Sequence, residues 1–188
     1  MDMASRYPLY IFDLDGTLAL IDHRRHFVQA PWIRVGMNDE IPKNAKEVRA
    51  RDHGHEYKDP NFKPDWQRFH QACKHDAPNW PVIGVMLQLY SCGCDVRIWS
   101  GREDSVKADT MMWLHAHTKI PLIKIEQMLR MRETGDYTPD EQMKRKWLNL
   151  LKPMERARVA GVFDDRQKVV DMWRESGVAC FQVAPGDF

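Results

Sequence analysis

The chain has 188 residues, 43% of them hydrophobic, enough for one domain with a sizeable apolar core. A formal charge of +1 excludes a protein held to nucleic acid by bulk charge alone. No apolar run approaches the roughly 18 residues of a membrane span, and Met1–Arg6 carries no signal-peptide apolar segment.

The first element is Leu9 to Phe12, a short apolar run expected as a buried strand of a parallel sheet. It ends in Asp13-Leu14-Asp15-Gly16-Thr17. Side chains alternate along an extended chain, so Asp13 and Asp15 project the same way. The C-terminal end of such a strand is where open α/β sheets place ligands. The plainer reading is a strand-ending Asx turn, and the sharper one is a phosphoryl-transfer site with Asp13 as nucleophile. His23 to Val28 follows as a short helix. Gly36 to Pro64 then shows little periodicity and several breakers, the profile of a functional or mobile segment. From Arg24 to Lys58 eight cations (Arg24, Arg25, Arg34, Lys43, Lys46, Arg49, Arg51, Lys58) face five acids. This is either a solvated face or a phosphate-facing one.

Trp66, Phe69, His70 and Cys73 recur at helical spacing and read as core packing. A helix is expected over Pro81 to Tyr90, a strand over Asp95 to Ser100 and a helix over Asp104 to His117. Pro121 to Glu126 reads as a strand, and Asp140 to Leu151 as a helix opened by a Thr138/Glu141 capping box. Val159 to Phe163, the helix Gln167 to Ser176 and the strand Val178 to Val183 complete the chain. Strands alternate with helices, so the fold class is α/β with a parallel sheet flanked by helices. Of the four cysteines (Cys73, Cys92, Cys94 and Cys180), Cys92 and Cys94 stand too close for ordinary disulfide geometry. No second pair offers zinc spacing, so reduced thiols of a cytoplasmic protein are expected.

Asp164-Asp165 also follows an apolar strand, so two strands deliver acidic pairs to one sheet edge. Like charges about 4 Å apart cost on the order of 4 kcal/mol at an effective dielectric of 20. A hard divalent cation resolves this, and Mg²⁺ suits an all-oxygen site shared with a phosphate. Ser100-Gly101, between a strand and a helix, offers a hydroxyl and backbone N–H groups to an anion. Lys144 and Lys146 project roughly 200° apart, and Trp147 one turn after Lys144 marks the inward face, favouring Lys144.

The Asp13-Leu14-Asp15-Gly16-Thr17 string resembles the first motif of the haloacid dehalogenase (HAD) superfamily. The resemblance implies a Rossmann-like sheet, a small cap insertion after the first strand, here about residues 28–80, and an aspartyl-phosphate on Asp13. It makes Asp15 the general acid/base, kept protonated by anionic neighbours. It makes Ser100 and Lys144 ligands of the transferring phosphate. Asp13, Asp15 (through its backbone carbonyl) and Asp164 or Asp165 become the magnesium ligands.

Ser100-Gly101-Arg102-Glu103, the Gly135-Asp136…Asp140…Lys144 segment and the run from Asp164 to Phe188 are similar to the 3′-phosphatase domain of bacteriophage polynucleotide kinases. That similarity adds Arg24, Gly101, Arg102 and Asp140 as substrate-site residues. It implies phosphorylated nucleic-acid ends as substrate, a separate kinase or ligase as partner, and a phage-infected or bacterial cytoplasm as location. The chain contains no Gly-x-x-x-x-Gly-Lys-Ser/Thr loop, so 5′-kinase activity is not expected of it. Its longer insertion leaves free (deoxy)nucleoside monophosphates as the alternative substrate. A phospho-accepting receiver is the distant alternative, because there the acidic pair comes first and here it comes last.

Overall fold

Leu9–Phe12 forms the strand β1, with Leu9, Ile11 and Phe12 buried almost completely. A computed structural model describes residues 7–45 and 47–186. Met1–Arg6, Lys46, Asp187 and Phe188, which enter the sequence reading above, lie outside the described residues. The chain divides into two compact units: residues up to Ile21 together with those from Cys73 onward, and Asp22–Ala72.

The first unit is built on a five-stranded parallel sheet. In chain order it uses β1, then β7 (Asp95–Glu103), β8 (Leu129–Arg132), β9 (Val159–Arg166) and β10 (Cys180–Gly186). Across the sheet the order is β10-β9-β1-β7-β8. A two-stranded antiparallel ribbon, β2 (Ala19–Leu20) with β6 (Ala77–Pro78), belongs to the same unit. Helices α2 (Trp80–Ser91), α3 (Lys107–Thr118), α4 (Leu122–Met128), α5 (Asp140–Asn149), α6 (Pro153–Arg156) and α7 (Gln167–Glu175) connect the strands. Alternation along β1 feeds two cores. Leu9 and Ile11 pack with Trp99, Trp147, Val162, Val169 and Trp173. Phe12 packs with Ile83, Met86, Ile98, Trp113 and Leu114. Cover on both faces is why these strands read as unbroken apolar runs.

Register then fixes the site. Phe12 pairs with Phe163 of β9 and with Ile98 of β7. Asp13 and Asp164, each one residue further on, therefore emerge side by side at the C-terminal edge, and Asp13 N–H donates to the Phe163 carbonyl at 2.9 Å.

Residues 121–126, expected as a strand, are helical, and the neighbouring strand is β8. Leu122 and Ile123 misled the pattern because they are apolar yet 39% and 61% exposed, while Ile125 and Met128 supply the buried helical stripe. The capping box is also absent. α5 follows Pro139, with no side-chain cap, and Thr138 N–H bonds Asp136 Oδ1 instead.

The second unit corrects the expectation of little structure between Gly36 and Pro64. β3 (Trp32–Val35), β4 (Val48–Arg51) and β5 (Gly54–Lys58) form an antiparallel sheet with β5 in the middle. Its register puts Trp32 opposite Lys58, and Arg34 and Arg49 on either side of Glu56. Arg51, two residues beyond Arg49, shares that face, whereas Ile33, Val35 and Tyr57 lie on the other. Arg49 stacks its guanidinium 3.9 Å from the Trp32 ring centroid. Helix α1 (Trp66–Gln71) is capped by Asp65, whose Oδ1 accepts the Arg68 N–H at 2.9 Å.

Candidate active site

At the C-terminal edge of the sheet, carboxylate oxygens of Asp13, Asp164 and Asp165 lie within 4.8 Å of one another, all buried. Lys144 reaches them from α5, with Nζ 2.6 Å from Asp13 Oδ1, 3.0 Å from Asp164 Oδ2 and 3.3 Å from Asp140 Oδ2. Asp140 sits one turn before Lys144 and also meets Arg132 at 3.4 Å and Arg166 at 3.9 Å. It anchors the lysine. Trp173 Nε1 donates to Asp164 Oδ2 at 3.4 Å, and Arg166 N–H donates to Asp164 Oδ1 at 3.3 Å.

One buried lysine does not balance this many acids. Burial pushes the Asp13 carboxyl well above its usual range; Lys144 opposes the shift, and Asp164, Asp165 and Asp140 reinforce it. Burial, then Asp164, lifts Asp165 to about 7. Lys144 is itself held charged: burial works against its ammonium, but Asp13, Asp140 and Asp164 more than offset that. A cluster of hard oxygen donors that would otherwise hold protons fits a divalent cation such as Mg²⁺.

Gly16 makes room for the third acid. It adopts φ +89°, and a Cβ there would fall 2.2 Å from Asp165 Oδ2. Thr17 Oγ1 lies 3.5 Å from Asp165 Oδ1. Gly101 plays the same part beside Asp140, whose Oδ1 would be 2.5 Å from an added Cβ. Ser100 is fully buried and its Oγ accepts the Arg102 N–H at 3.1 Å, which leaves the hydroxyl proton to donate to an oxyanion.

Asp15 differs from its expected surroundings. Its carboxylate faces a cation: Arg102 Nε donates to Asp15 Oδ1 at 3.0 Å, and Arg102 Nη2 pairs with the same oxygen. Asp13, Asp140 and Asp164 meet Lys144. Arg102 is fully buried, and its guanidinium also meets Asp76 Oδ2 at 2.7 Å and Thr110 Oγ1 at 3.2 Å. Arg24 lies in the second unit, where it is buried with its guanidinium 4.1 Å from the Phe69 ring centroid and Nη1 donating to the Phe69 carbonyl.

Sequence reasoning missed Asp76 and Arg132. Arg132 ties the site's loops together, donating to the carbonyls of Gly101, Asp136 and Thr138 at 2.8, 3.0 and 2.6 Å. Its signal was the apolar/charged alternation of Leu129-Arg130-Met131-Arg132. Asp76 stands in no motif.

A family model for the polynucleotide kinase PNKP phosphatase domain matches residues 65–188. The chain belongs to that family. It is therefore a HAD-type phosphatase domain, a hydrolase. The match begins upstream of residue 81, where the similarity read from sequence resumes after the insertion, and so takes in Asp76. Among solved structures, a chain in a Pnkp1/Rnl/Hen1 RNA repair complex is 28% identical, with a TM-score of 0.62 over 100% of this chain and 45% of that one. A chain in a further Pnkp1/Rnl/Hen1 complex is 29% identical, with a TM-score of 0.59 over 97% of this chain and 48% of its own length. This chain spans less than half of each. Among the described residues no helix is long and apolar enough to cross a membrane.

Proposed function

We propose that this domain is a magnesium-dependent phosphomonoesterase that removes 3′-phosphates from nucleic-acid ends through an aspartyl-phosphate. The observation that carries the reading is the convergence of Asp13, Asp164 and Asp165 around a buried Lys144 at the sheet's C-terminal edge. Asp13 Oδ attacks phosphorus in line as the bond to the leaving oxygen breaks. Asp15, carrying a proton at that stage, gives it to the departing hydroxyl and is left as the carboxylate that Arg102 holds. It then takes a proton from the water that hydrolyses the acyl phosphate, which restores the starting state. Lys144 and the Ser100 hydroxyl stabilise the phosphoryl oxygens as charge shifts onto them. A Mg²⁺ ion held by the carboxylates of Asp13, Asp164 and Asp165 and the Asp15 carbonyl would polarise a phosphoryl oxygen and offset the acids' mutual repulsion. Arg24 is kept as a substrate-site residue from the family resemblance.

Two findings support a polymer end over a free nucleotide. The family is that of polynucleotide kinase phosphatase domains, and the solved relatives belong to an RNA repair complex. The insertion unit also presents Trp32, Arg34, Arg49, Arg51 and Lys58, with Glu56 among them, on one face of its sheet, an aromatic ring and a surplus of cations suited to a single strand. A separate kinase or ligase is the partner such a step calls for. The test is phosphate release, with and without Mg²⁺, from a 3′-phosphorylated oligonucleotide and from nucleoside monophosphates. Preference for the oligonucleotide, abolished by Asp13→Asn with the fold intact, is expected. Equal or greater turnover of mononucleotides would favour the alternative, and near-wild-type activity of Asp13→Asn would remove the nucleophile assignment.

A further inference from the structure

Among the described residues, Asp76 is the one fully buried side-chain carboxylate near the site that the proposed mechanism does not use. It follows the short 3-10 turn Ala72–His75 and precedes β6, with its N–H bonded to the Cys73 carbonyl at 3.2 Å. Its own carbonyl accepts Trp113 Nε1 of α3 at 2.8 Å, so its backbone is fixed on both sides. Its Oδ2 accepts Arg102 Nη2 at 2.7 Å, and neither side chain has any solvent exposure. Thr110, one turn before Trp113 on the same helix, takes Arg102 Nη1 at 3.2 Å.

Neutralising Arg102 does not require Asp76, because Asp15 already pairs with that guanidinium. Burying a second carboxylate costs several kcal/mol in lost hydration. What it adds is direction. A guanidinium is a planar fork, and the bonds from Nη2 to Asp76 and from Nη1 to Thr110 fix its Nη1–Nη2 edge. The Nε–Nη2 edge is then presented to Asp15 in one orientation. We propose that Asp76 is a positioning residue for the phosphatase reaction, clamping Arg102 so that Asp15 stands where it can hand its proton to the leaving oxygen. This rests on the reading of Asp15 as general acid. The step itself is unchanged: the Asp13 O–P bond forms, the P–O bond to the leaving group breaks, and the Asp15 proton goes to that oxygen.

The role predicts a dependence on leaving group that a merely structural carboxylate would not produce. A sugar hydroxyl is a poor leaving group and needs the proton, whereas a nitrophenolate departs without it. The ratio kcat/KM covers steps only through that departure, so later hydrolysis of the acyl phosphate does not blur the comparison. With Asp76→Asn, kcat/KM for a 3′-phosphorylated oligonucleotide should fall about 100-fold, the scale of a misplaced acid. For p-nitrophenyl phosphate it should fall by less than about threefold. Thr110→Val, nearly isosteric, should show the same bias at about tenfold and carries the test if Asp76→Asn does not fold. Equal losses on both esters, or no loss on either, would overturn the proposal. A wild-type protein that cleaves neither ester would remove the functional reading, and this inference with it.

Discussion

Two lysine–carboxylate contacts of nearly equal length separate the two units. Lys144 meets Asp13 at 2.6 Å with side-chain exposures of 1% and 7%, while Lys58 meets Glu47 at 2.8 Å with exposures of 35% and 49%. In the first unit Asp13, Lys144 and Asp164 have almost wholly lost their water, so each depends on the next. In the second unit the pairs Arg51–Glu56, Lys58–Glu47 and Arg68–Asp65 are solvated, and such pairs are worth about 0–1 kcal/mol each. The same chemistry therefore stands in two settings: one unit holds its charges in a buried, fixed arrangement, and the other leaves them in contact with water.

Removing Lys144 breaks the comparison most severely. Lys144→Met leaves Asp13, Asp140 and Asp164 buried without their shared cation. Breaking such a cluster costs about 3–5 kcal/mol, and phosphatase activity should fall on the order of 10²–10³-fold. Urea unfolding of the metal-free variant and initial rates measure the two. Lys58→Met should shift stability by less than about 1 kcal/mol. If the two lysines prove equally dispensable, burial is not what distinguishes the units.

Metal and pH sharpen the contrast at intermediate size. The folded protein holds a proton on Asp165 up to about 7, whereas an unfolded aspartate gives it up near 3.8. Between these values the folded state binds more protons, so metal-free stability falls as pH rises, by on the order of 4 kcal/mol across the window. Asp13, raised in the same direction by burial, adds to that fall. A cation that replaces those protons should therefore raise the melting temperature little at about pH 5 and by several degrees at about pH 8. Melting curves in Mg²⁺ and in EDTA at both values check it. A metal effect larger at the acid end would contradict the assignment of these acids as ligands.

What could be read in the sequence follows the same divide. β1, β7 and β9 are covered on both faces, so they appear as apolar runs, and their parallel register carries Asp13, Ser100 and Asp164 to one edge. The polar residues that follow those runs are legible because so few residue types suit that chemistry. α4 reads as a strand and β8 goes unread because an edge strand holds Arg130 and Arg132 among its apolar residues, while a surface helix exposes Leu122 and Ile123. The β3-β5-β4 sheet escaped notice because Arg49, Arg51 and Glu56 occupy the positions that alternate with its apolar face. Asp76 and the Asp15–Arg102 pair depend on contacts 26 and 87 residues apart in sequence, which no local pattern encodes.

The smallest effect on stability is expected where the effect on polymer binding should be clearest. Arg34 and Arg49 flank Glu56 on the exposed face of the second unit's sheet, and Arg49 lies flat on Trp32. Replacing both by glutamate removes two cations from solvated positions, so stability should move by no more than about 0.5–1 kcal/mol. Neutralising phosphates releases counterions, so losing two such contacts should weaken oligonucleotide binding about tenfold or more and reduce its salt slope by about 1–2. Turnover of p-nitrophenyl phosphate, which has no strand to bind, should stay at the wild-type level. Anisotropy titrations of a 3′-phosphorylated oligonucleotide across salt concentrations read the first effect, and initial rates read the second. Unchanged oligonucleotide affinity would mean that these arginines only solvate the sheet, and a matching fall on the aryl ester would place their influence in the chemistry rather than in the grip on a strand.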